Sequence, residues 1–379
     1  MKQFIISLLV VIYCICGCKN LKKRDESMLP YYIEVEKNLR KVKAIPLSAL
    51  GSRLEYVPLE TSPISIISSI DNVFITDSLI FVSDSDQRLL AFDISGRYIR
   101  QIGTNGRGPG EYQTVENFIV DNKHKKIYLL TFRRVNVYDF NGNFIREIKL
   151  DFPSSEIIID DNENLILHPF SSAQPKNEEV YSWYFYDEMG NEKLKIKNTI
   201  KRTKGGITIP YSPLYMYNGI PHFMEFGVDT LYTYSDNLRT PYAVLNLGKL
   251  KYPNDPTLQE SLTIDNRIWV YKIQESKHFL FINLWWGHDS ILYCVFNKPN
   301  SVFSEMNESG FTNDIDYGLN FWPMKVINDS LFVDCKEAIE IIEYARNSQS
   351  KVKEQNNHIK ELANQLSETS NPVLIILKN

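Results

Sequence analysis

An excess of positive charge is missing from this sequence: 42 Lys and Arg stand against 46 Asp and Glu, a formal net charge of −4. A phosphate-binding surface needs a concentrated basic face, so nucleic acid is excluded as an expected partner. Cysteine is scarce. Of five, Cys14, Cys16 and Cys18 crowd the first eighteen positions, leaving Cys294 and Cys335 for the body of the chain. No CxxC or Cys/His spacing predicts zinc. The six histidines (His124, His168, His222, His278, His288 and His358) are scattered, with none paired at ligand spacing. A G-x-S-x-G elbow and a GK[ST] phosphate loop are both lacking. The expectation is a protein without a metal or cofactor, and no catalytic residues are assigned.

Long apolar runs are also few. One stands at the start: Met1-Lys2-Gln3 is a short positive opening, Phe4 to Tyr13 is apolar apart from Ser7, and Ile15-Cys16-Gly17-Cys18 follows. This is the layout of a secretory signal. A membrane span needs about 20 apolar residues, and the charged stretch from Lys19 to Glu26 begins too early for one. The run looks like a lipobox, which makes residues 1–18 a lipoprotein signal and Cys18 the lipidated N-terminus. Residue 19 is Lys rather than Asp, unlike an inner-membrane retention signal. Anchoring in the outer membrane through the lipid is expected, facing either the periplasm or the outside. The compartment permits a Cys294–Cys335 bridge; two unpaired buried thiols are the alternative.

What the sequence has in abundance is aromatic side chains, with 22 Tyr and 20 Phe, a bias towards strands. It also has a repeat. Asp93-Ile94-Ser95-Gly96 and the strand after it match Asp139-Phe140-Asn141-Gly142, 46 residues on, and Asp187-Glu188-Met189-Gly190, a further 48 on. A degraded copy starts at Tyr234. Each reads as a hairpin around an Asp-x-x-Gly turn, with glycine supplying positive φ. A period of that size, with several short strands per unit, indicates β-propeller blades, and the strand-rich length gives about six. The blades are expected at 64–102, 115–149, 155–197, 212–247, 264–304 and from near 318. Residues 19–50 form an arm and 51–379 the ring. Ser52–Leu59 and Pro372–Leu377 are expected to share the closing blade. Between about 336 and 367 the apolar spacing turns helical, at Ile359, Leu362, Ala363 and Leu366, which recur at i, i+3, i+4 and i+7, and Ala338, Ile339, Ile341, Ile342 and Ala345 suggest a second helix. The fold expected is all-β: a six-bladed propeller with a C-terminal helical insertion before the last strand.

Three stretches carry a family resemblance: Gly106-Arg107-Gly108-Pro109-Gly110-Glu111-Tyr112 after the first hairpin, Leu54-Glu55-Tyr56-Val57-Pro58-Leu59-Glu60 before it, and Asn371-Pro372-Val373-Leu374-Ile375 at the end. Together they resemble the six-bladed β-propeller lipoproteins of Bacteroidota-type bacteria, whose blades are NHL-like. The resemblance implies the fold over most of residues 50–379. It implies no reaction, since fold alone supplies none.

Candidate ligand contacts are Arg107, Glu111 and Tyr112 in the glycine-rich loop, and Trp285, Trp286 and His288 in the densest aromatic–polar cluster. Glu111 and Tyr112 have a plainer reading as ties between loop and blade. The tryptophans have one as packing, as do Trp183, Trp269 and Trp322. His168 and His222 occupy comparable parts of successive blades, facing the channel or simply hydrogen-bonded. The leading functional expectation is a non-catalytic binding propeller for a glycan or an envelope protein partner. The alternatives are an envelope glycan hydrolase or lyase using channel-facing residues, and an accessory subunit docking through the helices at 336–367.

Overall fold

The Asp-x-x-Gly turns fold as their composition dictates. In the first, Asp93 Oδ1 accepts from the backbone N–H of Ser95 at 2.9 Å and of Arg97 at 3.0 Å, while Gly96 takes φ +86°. Asp139 and Asp187 repeat the pattern, with Gly142 at +82° and Gly190 at +87°. These donors favour the ionised carboxylate: the Asn191 side chain and N–H hold Asp187 down at about 2. The first strand-to-strand turn of the 154–197 unit uses the same device, with Asp160 accepting from Asn162 and Asn164 and Glu163 at φ +59° in the glycine's place.

The computed structural model describes residues 29–170, 181–197, 212–225, 227–235, 238–252, 266–287, 290–307, 310–347 and 357–379. Cys18 and His288 lie outside them. The strands form six antiparallel sheets of the expected propeller. Blades 1 to 5 span 70–101, 117–149, 154–197, 214–246 and 268–305. Blade 6 is composite: Lys325–Asn328 is innermost, then Leu331–Lys336, Val373–Lys378 and, outermost, Arg53–Pro58. Each innermost strand touches the next, and Lys325–Asn328 returns to touch Ile70–Ile75, which closes the ring around a channel.

Alternating apolar residues fill the gaps between blades. Val73, Ile80 and Phe92 of blade 1 pack with Val333, Leu374 and Ile376 of blade 6, and blades 1 and 2 meet through Phe81, Ile102, Phe118 and Leu129. Trp183 packs on Phe223 between blades 3 and 4, and Trp322 on Phe281 between blades 6 and 5, as inter-blade packing requires. Each such side chain contributes roughly 1.5–3 kcal/mol by burial, so no blade is stable without its neighbours.

Two parts lie outside the blade pattern. Helices α2 (Ala338–Asn347) and α3 (Asn357–Gln365) form a hairpin inserted between two strands of blade 6. Ile341, Ile359 and Leu362 pack over Val373. The arm is a strap rather than a loose tether: Tyr31–Glu34 adds a parallel fifth strand to blade 4 beside Ala243–Asn246. The short helix α1 (Val35–Asn38) follows, and the chain then crosses blade 5 through Lys43 N–H to Glu305 O at 2.9 Å and Leu47 N–H to Thr312 O at 2.8 Å. Among the described residues no helix is long and apolar enough to cross a membrane. Cys294 and Cys335 are free thiols in blades 5 and 6, both held protonated by burial.

Candidate functional site: a charged central channel

The innermost strands do not alternate regularly. In blades 1, 3 and 5 they carry a bulge at equivalent places: Asp71, Ser155 and Tyr271 are each skipped in the pairing with the second strand. A bulge re-aims the residues beside it. Asp71 with Asn72 and Tyr271 with Lys272, at two of these bulges, line one cavity. That cavity occupies the channel and measures about 900 Å³, near the upper end of small-molecule sites.

Its polar lining comes from all six blades, with Tyr215 of blade 4 and Gln274 and Glu275 of blade 5 among it. Blade 1 supplies Asp71 and Asn72, blade 2 Glu116 and Asn117, blade 3 Glu156, blade 5 Lys272 and blade 6 Lys325. An amide relay links the first three blades: Asn72 Nδ2 donates to Asn117 Oδ1 at 2.9 Å, and Asn117 Nδ2 donates to Glu156 Oε2 at 2.7 Å. Across the channel, Lys272 Nζ donates to the Met324 carbonyl at 2.9 Å. The Lys325 side chain has no hydrogen bond or ion pair to any described residue.

Burial dominates the electrostatics. It raises the Glu156 carboxyl to about 7, against the pull of Lys272, the Asn117 amide and Lys325. It lowers Lys325 to about 8, helped by repulsion from Lys272 and opposed by Glu156. Lys272 is lowered by burial too, while burial raises Asp71 and Glu116. The channel therefore has an acidic wall on blades 1 to 3 facing a cationic wall on blades 5 and 6, neither fully compensated.

A second charged cluster at the junction of blades 4 and 5 is satisfied. Glu275 is buried and accepts from Tyr215 Oη at 2.8 Å, from Lys298 Nζ at 2.7 Å and from Tyr242 Oη. His222 Nε2 lies 3.8 Å away. A third group, Asp121, His124 and Glu163, brings three metal-ligating atoms within 4.8 Å of one another. Its members already bind one another and their neighbours: Asp121 Oδ2 takes His124 Nδ1 at 2.6 Å, and Lys126 and Tyr128 occupy Glu163.

The residues singled out from sequence lie elsewhere. Arg107 is exposed on its loop. Glu111 folds back to accept the Gly108 N–H at 2.8 Å. Tyr112 is buried, donating to the Ile102 carbonyl at 2.9 Å and accepting from Leu89 N–H. Trp285 stacks on Trp269, with centroids 5.8 Å apart and planes at 9°, and meets Tyr271 edge-on. Trp286 lies under the Arg40 guanidinium of the strap at 5.1 Å. None of these five lines the channel; only Tyr271 connects the tryptophan pair to it. His168 and His222 take the plainer reading: each Nδ1 meets a backbone carbonyl, of Ser182 and Ile220 respectively.

Sequence reasoning missed the channel set. The signal available was positional: Asn72 and Asn117 lie 45 residues apart, one blade period, and Glu156 follows 39 later.

The family described as a domain of unknown function (DUF4934) matches residues 30–378. Among solved structures the chain is similar to an exported protein from Bacteroides fragilis, at 16% identity, covering 92% of this chain and 99% of that one with a TM-score of 0.64. At that identity the likeness shows the fold. Slighter likenesses, which carry no argument, are to the N-terminal domain of Nup159 (9% identity, 78% and 76% covered, TM-score 0.42) and to the extracellular domain of a one-component system from B. thetaiotaomicron (11%, 67% and 29%, 0.39). No curated protein matches the sequence.

Proposed function

The chain belongs to the DUF4934 family, a membership that assigns no activity, and from the channel's geometry we propose that it is a non-catalytic binding propeller of the bacterial cell envelope, taking a polar ligand such as a glycan into the channel. The observation that carries this is the meeting of Asp71, Glu116, Glu156, Lys272 and Lys325, from five blades, in one 900 Å³ cavity. Groups this costly to bury would be replaced by apolar ones if the channel served packing alone. The signal layout of residues 1–18 supports export and a lipid on Cys18, and Lys19 favours the outer membrane. The B. fragilis protein that shares the fold is itself described as exported.

The test is thermal unfolding of the detergent-solubilised full chain against host, plant and bacterial glycans, with product analysis of every hit. A ligand that binds the folded state raises Tm by mass action. A rise in the wild type that is lost in Glu156→Gln supports the channel as the site. A rise that persists unchanged in channel variants moves binding elsewhere and overturns the proposal.

One observation favours a second reading, an envelope glycan hydrolase or lyase. Glu156 at about 7 and Lys325 at about 8 share a cavity, and groups poised near neutrality suit proton transfer. Cleavage products from a hit, abolished in Glu156→Gln, would establish it in place of binding alone.

A further inference from the structure

Lysines placed deep in a channel carry a cost that some partner must offset. Lys272 is served by one backbone carbonyl. The Lys325 side chain has neither hydrogen bond nor ion pair among the described residues, and Lys325 lines the cavity. Their nearest ionised counterpart, Glu156, is engaged by Asn117. The cationic wall is thus short of negative charge at one place, where blades 5 and 6 meet.

The acidic wall limits what that negative charge can be. Asp71, Glu116 and Glu156 look into the same cavity. A phosphoryl group, with close to two negative charges, would be repelled by these carboxylates more strongly than a singly charged carboxylate set among hydroxyls, which can donate to them. Tyr215 and Tyr271 also line the cavity, the latter next in sequence to Lys272, and aromatic residues offer apolar surface to the C–H faces of pyranoses.

We propose that the channel takes a carboxylated saccharide of the uronic-acid class, its carboxylate held between Lys272 and Lys325 and its hydroxyls turned to Asp71, Glu116 and Glu156. This rests on the reading of the channel as the binding site and adds the charge and class of the ligand. The bulge at Tyr271 re-aims the residues beside it, and Tyr271 and Lys272 both line the cavity.

The experiment is isothermal titration of the detergent-solubilised full chain with a panel of di- to tetrauronides, α- and β-linked, beside the same sugars after carboxyl reduction. Uronides should bind and their reduced forms bind at least about tenfold more weakly, as expected for loss of a charge-assisted hydrogen bond. Lys325→Met should lose a similar factor towards uronides and a smaller one towards the reduced sugars, narrowing the difference between them. Circular dichroism and Tm of that variant establish that it is folded, and Lys325→Arg, which keeps the charge, should retain part of the affinity. Equal binding of uronides and reduced sugars, dependent on the channel, would overturn the carboxylate while leaving the channel reading intact. Preference for phosphorylated or sulfated sugars, or for peptides, would overturn the class. Binding indifferent to Lys272→Met, Lys325→Met and Glu156→Gln alike would bring down both readings.

Discussion

Glu156 and Glu275 are two glutamates on the walls of one ring, treated in opposite ways. Glu275 is enclosed by Tyr215, Tyr242 and Lys298, each donating to it. Glu156 has a single amide donor, and its lysine counterparts stand across open channel. A buried carboxylate that is fully paired holds structure together, since its energy is realised within the chain. One left half-paired, opposite cations that are themselves incompletely paired, is a structural liability unless something else completes it. The same chemistry thus serves blade cohesion at the junction of blades 4 and 5 and, under the proposed function, ligand recognition in the channel.

Removing one member of each cluster separates the two. Glu275→Ala leaves Lys298 buried and unpaired, and should cost roughly 3–5 kcal/mol in urea unfolding. A loss under about 1 kcal/mol would show that the two clusters do not differ in kind. Tyr242→Phe removes one hydrogen bond to the same carboxylate and should cost about 2 kcal/mol. Lys325→Met, by contrast, should raise stability, by roughly 1–3 kcal/mol at neutral pH, because an uncompensated charge gives way to an apolar chain of similar length.

The channel groups also set a pH dependence that the satisfied cluster does not share. Glu156 titrates at about 7 in the fold against 4.5 unfolded, so between those values the folded state binds more protons and stability falls as pH rises. Lys325 titrates at about 8 against 10.5. Between those values the folded state binds fewer protons, and stability rises with pH. Glu156→Gln should remove the fall and Lys325→Met the rise, as read by Tm across the pH range. A profile unchanged in both variants would mean that these groups are solvated as freely as surface ones.

The ring was legible in the sequence because it is written locally and repeatedly. Asp93, Asp139 and Asp187 each make their turn with residues two and four positions on, so the blade period stands in the text. Blade 6 was legible through the strand character of 53–58 and 373–378, although 310 or more residues separate the partners. The strap's parallel strand at Tyr31–Glu34 was not, because edge pairing in parallel leaves no turn and no alternation to read. The site was least legible. Arg107, Glu111, Tyr112, Trp285 and Trp286 attract notice as local clusters, and those that are buried or bonded serve their own loops and blades. The channel residues come one or two to a blade and converge only once the ring has closed. Their local mark, a bulge that breaks alternation, shows only when the second strand is paired beside them.

The strap has a mechanical consequence. Blade 6 takes its outermost strand from the N-terminal side of the chain, so a pull arriving along the chain from before residue 29 would otherwise fall on the seam that closes the ring. Tyr31–Glu34 lies flush against Ala243–Asn246, and the crossing of blade 5 adds further backbone bonds before Arg53 is reached. Load is taken up by the flank of blade 4 and shared along the rungs of a ladder, which must yield together. The seam of blade 6, and the channel it encloses, stay slack while a pull on the chain before residue 29 is borne by the strap.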